Sequence, residues 1–134
     1  AVQASSSVPG LFEPAWIDGV PYVDGNLSSP VPIGVARLAG AERVAAVNVI
    51  YPPEEMVAWN PLQTLNKSLL IAIHGLARRE AALADVLIEP KLPREDQITV
   101  GNRGALIAAG EEATRSALPA LRQLVAGSPR RQQV

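Results

Sequence analysis

Apolar residues fall in short blocks in the first half of the chain and recur at helical spacing in the second. Trp16-Ile17 and Val20-Pro21-Tyr22-Val23 are β-forming blocks separated by Asp18-Gly19. This pattern predicts a hairpin, because glycine accepts the positive φ that a two-residue turn requires. Pro21 has no N–H to give to a ladder, which places its strand at an edge. Arg43 to Tyr51 is an almost unbroken apolar run, Val44-Ala45-Ala46-Val47-Asn48-Val49-Ile50, and reads as a central strand covered on both faces. Asp85 to Pro90 is a second short strand, closed by its proline.

Two long helices follow from periodicity. Asn60-Pro61 is an N-cap with proline in the first turn. Behind it Leu62, Leu65, Leu69, Ile73, Leu76 and Leu83 form one apolar stripe, and the helix reaches Ala84. Arg78-Arg79-Glu80 is read as its wet face. Arg103 to Val125 is the second helix, with Leu106, Ile107, Gly110, Ala113, Ala117, Leu121 and Leu124 on one side. Pro119 inside it is expected to kink or split it.

The remaining segments are shorter. Ala1 to Ala4 reads as the tail of a strand. Ser5 to Val8 reads as one helical turn capped by the Ser5 hydroxyl and stopped at Pro9-Gly10. Gly34 to Gly40 is a short helix ended by Gly40. Met56 to Trp59 is a loop or short helix, and Lys91 to Asn102 a polar connection. Gly127-Ser128-Pro129 stops the last helix, leaving 128–134 as a disordered tail.

The alternation of strands and helices is α/β. At 134 residues the chain has room for one domain, assigned to 1–127. Net charge −1 argues against a nucleic-acid partner held by bulk electrostatics. There is no cysteine, hence neither a disulfide framework nor a thiolate metal site. No apolar run has the length of a membrane span, and neither a metal-ligand cluster nor a cofactor motif is visible.

The candidate chemistry lies in Val20-Pro21-Tyr22-Val23-Asp24-Gly25-Asn26, an apolar strand that ends in an acid, a glycine and a proline-bounded turn. An acid at such a position leaves the end of the sheet, where α/β proteins keep their active sites. Asp18, in the hairpin turn, is structural. The serines Ser5, Ser6 and Ser7 are read as structural too, since no base or oxyanion loop adjoins them. His74, the single histidine, sits mid-helix with no motif around it.

Ala4-Ser5-Ser6-Ser7-Val8-Pro9-Gly10-Leu11-Phe12 followed by Asp24-Gly25-Asn26 resembles the patatin-like phospholipase family of serine lipid acyl hydrolases. There an alanine-serine segment, a Pro-Gly turn and an aromatic precede an Asp-Gly-Gly or Asp-Gly-Ala motif. The resemblance continues into the valine-rich strand at 43–51, where Asn48 is expected to make a hydrogen bond at the strand end, and into Ala84 to Pro90. It implies the C-terminal half of a three-layer α/β/α domain with an incomplete sheet, its first strand presenting an unpaired edge. It also implies a Ser-Asp dyad in which Asp24 is the general base, on a turn shaped by Gly25 and Asn26. The family's small third residue is Asn26 here, whose tolerance of left-handed φ lets the turn survive. Its larger side chain is positioned to crowd the nucleophile or to hydrogen-bond Asp24.

The family's Gly-x-Ser-x-Gly nucleophile and glycine-rich oxyanion loop do not occur in these residues and are expected upstream of Ala1. This chain by itself is therefore expected to be inactive. The implied partners are a lipid or fatty-acyl ester substrate and the N-terminal half of the domain. Peripheral membrane contact and self-association are open, and the compartment is read as cytoplasmic. The alternative reading is a non-catalytic module that binds lipid or a protein partner.

Overall fold

The computed structural model describes residues 2–50, 52–53, 60–92 and 103–127. In chain order these form helix α1 (Val2–Ser5), strands β1 (Ala15–Ile17) and β2 (Val20–Tyr22), a 3₁₀ turn (Gly25–Leu27) and helix α2 (Ile33–Leu38). Strand β3 (Ala45–Val47), helix α3 (Pro61–Ala81), strand β4 (Val86–Ile88) and helix α4 (Arg103–Ala126) follow.

The architecture is mixed α/β with two small sheets. β1 and β2 pair antiparallel, Trp16 opposite Pro21 and Ile17 opposite Val20. Asp18 and Gly19 between them have φ of 51° and 76°, the positive values of the mirror-image turn that matches strand twist. β3 and β4 pair in parallel, Ala46 opposite Leu87. A parallel pair needs a crossover connection, and α3 lies within it. The ladder extends by one bond at the strand end, from the Asn48 N–H to the Ile88 carbonyl at 2.9 Å.

Helix ends follow the local chemistry of the sequence. Asn60 caps α3, its side chain accepting from the Gln63 amide at 2.8 Å, with Pro61 in the first turn. α2 closes through Gly40 at φ 96°, with Gly40 N–H on the Arg37 carbonyl and Ala41 N–H on the Ala36 carbonyl. That is a Schellman closure, which needs a residue free to enter the left-handed region. At the C-terminus of α4 the Arg43 guanidinium donates to the carbonyls of Leu124, Val125 and Gly127. This arginine satisfies end-of-helix carbonyls from a distant part of the chain, which no local pattern announces.

The core is a cluster of Val31, Ile33, Ala46 and Ala77, with Val44, Ile50 and Ala84 packed against it. The expected α3 stripe is covered in part: Leu69, Ile73 and Leu76 are half-buried and Leu83 is exposed. The buried positions of α3 are Ala77 and Ala81, whereas Leu62 and Leu65 are exposed. The leucines at the start of α3 point where the described residues provide no cover. β3 differs for the same reason. Only Ala46 is buried on it and Val47 is exposed, so it is a short strand open on one face rather than a covered central one.

Three further expectations are corrected. Residues 2–5 are helical, not the end of a strand, and Ser5 closes that turn instead of capping it. The hydroxyls of Ser6 and Ser7, just past the end of α1, turn back onto the carbonyls of Val2 and Gln3 one turn earlier, giving these end-of-helix carbonyls donors. The start of the chain therefore has no strand to present an edge; among the described residues β3 and β4 pair only with each other, and each leaves one edge unpaired. α4 is one helix through Pro119, so the proline does not split it; Pro119 lies exposed, where water can take the Arg115 carbonyl that loses its N–H partner. Ile107 is exposed, while the other residues of the expected α4 face are half-buried. The segments at 54–59 and 93–102 and the tail at 128–134 lie outside the described residues.

Candidate active site

Asp24 follows β2 after a single residue, so the hairpin carries it. Its host is this two-stranded ribbon and not the parallel sheet. The backbone turns at Asp24, with φ −52° and ψ 131°, and its side chain caps the 3₁₀ turn. Oδ1 accepts the Asn26 amide hydrogen at 2.8 Å, the short-range bond by which aspartate mimics a backbone turn. The Asp24 N–H donates to the Ser7 carbonyl at 2.9 Å and thereby ties the turn to the segment after α1. Ser7 is buried and its hydroxyl is taken up by Gln3 at 2.9 Å. Through these bonds the alanine-serine segment becomes the seat of the Asp24 turn.

The far side of the turn is held from α3. Glu80 Oε1 accepts from the Ser29 hydroxyl at 2.6 Å, and Oε2 accepts from the Val31 amide at 2.8 Å. Glu80 is half-buried and thus not part of a solvated face, as Arg78 and Arg79 are. A charged acceptor for a main-chain amide makes a stronger bond than a neutral pair. Sequence periodicity does not disclose this role, because the partners of Glu80 lie some fifty residues away along the chain.

An open recess of about 300 Å³ lies between these segments. Its lining includes Ser5, Ser6, Asp24, Gly25, Asn26 and Ser29. Among the described residues Asp24 Oδ1 has the Asn26 amide and Oδ2 has no hydrogen bond. The recess thus offers a half-buried carboxylate with one oxygen fixed and one available to accept a proton.

Gly25 has an ordinary φ, and a Cβ built on it would meet nothing within 4 Å. Asn26 likewise does not use left-handed backbone. Its bond to Asp24 comes from the main chain, so any residue but proline at this position supplies it.

Residues 1–37 match the family model of the patatin-like phospholipases. The likeness, at the level of the family, is to lipid hydrolases. This patatin-like segment contains α1, the hairpin, Asp24, Gly25, Asn26 and all of the recess lining, and it ends within α2. Glu80 and the β3–β4 sheet lie outside it. The resemblance read along 43–51 and 84–90 is not part of the match.

The other candidates stand apart from the recess. Asp18 forms the hairpin turn. Asn48 is buried, donating to Glu89 Oε1 at 2.9 Å and accepting from the Ile50 amide at 3.0 Å, the structural role its place in the strand indicated. His74 is half-buried on α3, its buried Nδ1 has no hydrogen-bond partner among the described residues, and it does not line the recess. Among the described residues no helix is long and apolar enough to cross a membrane, and no cluster of acidic or histidine side chains has the makings of a metal site.

Proposed function

We propose that this chain is the C-terminal part, over 1–127, of a serine lipid acyl hydrolase that works with a Ser-Asp dyad. The observation that carries the reading is the Asp24 carboxylate in an open recess within the patatin-like segment, one oxygen fixed by the Asn26 amide.

In this mechanism a serine from a segment upstream of Ala1 attacks the ester carbonyl. Asp24 takes its proton as general base, with no histidine between them. Backbone amides of an upstream glycine-rich loop hold the oxyanion. The intermediate collapses to an acyl-serine as the proton on Asp24 passes to the leaving alcohol. Water then attacks the acyl-serine, Asp24 taking its proton and returning it to the serine as the fatty acid leaves. Gly25 fits the same reading. Nothing in the described residues fills the space beside it, which leaves room for the serine to approach.

A second reading is a non-catalytic module that binds lipid or a protein partner. It is favoured by one observation: no Gly-x-Ser-x-Gly occurs in the 134 residues. Joining this chain to an upstream half that carries a glycine-rich loop and Gly-x-Ser-x-Gly separates the two. Esterase activity that Asp24→Asn abolishes supports the hydrolase. No activity in the joined protein supports the module. Activity that survives Asp24→Asn assigns the base elsewhere, with His74 the first residue to replace.

A further inference from the structure

Ser29 is held at both of its hydrogen-bonding ends. Its hydroxyl donates to Glu80 Oε1 at 2.6 Å, and its amide donates to the Gly25 carbonyl at 2.9 Å. The Ser28 amide reaches the same carbonyl at 3.0 Å. Gly25 directly follows Asp24, whose Oδ1 is fixed by the Asn26 amide. A continuous run of bonds thus leads from α3 through Ser29 and Gly25 to the turn of the acid. Ser29 and Asp24 both line the recess.

The sequence leaves few other ways to fasten this loop to the helix. Pro30 and Pro32 have no N–H, so from Ser29 to Pro32 only Ser29 and Val31 carry amides. The Ser29 amide is used within the turn, which leaves its hydroxyl and the Val31 amide to face outward. Glu80 accepts from both, one donor on each oxygen. The other side of the loop is held by the bond from the Asp24 amide to the Ser7 carbonyl. Asp24 is therefore gripped from α1 on one side and from α3 on the other.

We propose that Glu80 is a positioning residue for the Asp24 base. A base has to meet the serine proton at hydrogen-bond distance, and a displacement of about 1 Å costs about a hundredfold in rate. Glu80 fixes the loop that sets this distance without touching the reacting atoms. The inference rests on the hydrolase reading for the reaction that is positioned. It goes beyond that reading by bringing into the site a residue from outside the patatin-like segment 1–37.

The test uses the protein joined to its upstream half. Glu80→Ala is expected to lower kcat about tenfold or more, with KM within about twofold of the parent. Ser29→Ala removes only the hydroxyl end of the link and is expected to lower kcat as well. The double variant is expected to be no slower than Glu80→Ala, because both act through one bond. Glu80→Gln keeps an oxygen for the Val31 amide and offers an NH₂ to the Ser29 hydroxyl, so its kcat stays within about twofold of the parent. Asn60→Ala loosens the far end of α3 without touching the loop and is expected to leave kcat unchanged. In the chain by itself, Glu80→Ala is expected to move the Asn26 amide resonance, and Asn60→Ala to leave it in place.

Unchanged kcat in Glu80→Ala, or an equal fall in Asn60→Ala, overturns the proposal. So does an Asn26 amide resonance indifferent to Glu80. If Glu80→Ala does not fold, Ser29→Ala decides, and its unchanged kcat overturns the proposal too. In each of these cases turnover that Asp24→Asn abolishes keeps the hydrolase reading. A joined parent without turnover removes that reading and this inference with it.

Discussion

Glu80 Oε1 accepts the Ser29 hydroxyl proton at 2.6 Å, joining the middle of the chain to the turn that follows Asp24. The same carboxylate takes the amide of Val31, a buried member of the core cluster. One side chain thus couples the packing of α3 to the shape of the recess. Glu80→Ala leaves the Val31 amide without its acceptor and is expected to destabilise the chain by about 2 kcal/mol. Urea denaturation measures this, and a midpoint equal to that of the parent chain contradicts the assigned role.

Asp24 has a structural duty separable from its chemical one. Asp24→Asn keeps an oxygen for the Asn26 amide, so stability is expected to change by no more than ~0.5 kcal/mol. Asp24→Ala removes the cap and is expected to cost about 1 kcal/mol. In the joined protein both substitutions abolish ester turnover. Thermal unfolding alongside an ester-hydrolysis assay separates the two duties.

The Asn60 side chain caps the start of α3. Asn60→Ala is expected to cost ~1 kcal/mol, and Asn60→Asp almost nothing, since aspartate accepts the Gln63 amide equally well. Chemical denaturation followed by circular dichroism distinguishes them. Equal losses from both would place the start of the helix elsewhere.

β3 pairs on one side alone among the described residues, and Val47 and Val49 are exposed beside its free edge. Open apolar edges recruit further strands. The chain is therefore expected to self-associate in a concentration-dependent way, and Val47→Lys to shift it towards monomer, as read by light scattering after size exclusion. A monodisperse parent monomer with a cooperative thermal transition contradicts this.

What the sequence determined by itself was local. Asp18-Gly19 dictated the hairpin turn, Asn60-Pro61 the start of α3 and Gly40 the end of α2, because each is decided by one residue's allowed φ or its reach to a nearby amide. Asp24 was legible as the candidate acid from its place after an apolar strand block and from the likeness of Asp24-Gly25-Asn26 to a family motif. The turn it caps is local too, since its bond to Asn26 spans only two residues. Tertiary structure decided what depends on distant neighbours. Periodicity alone cannot say which stretch of an apolar stripe finds cover, and on α3 that stretch is Ala77 and Ala81 and not Leu62 and Leu65. Glu80 looked like a solvated charge until the fold placed Ser29 and Val31 against it, and Arg43 like a strand residue until α4 ended at its guanidinium. A carboxylate or guanidinium carries no sign of its partner in its own neighbourhood. The partner is chosen when burial makes an unpaired polar group costly and the chain brings one within reach.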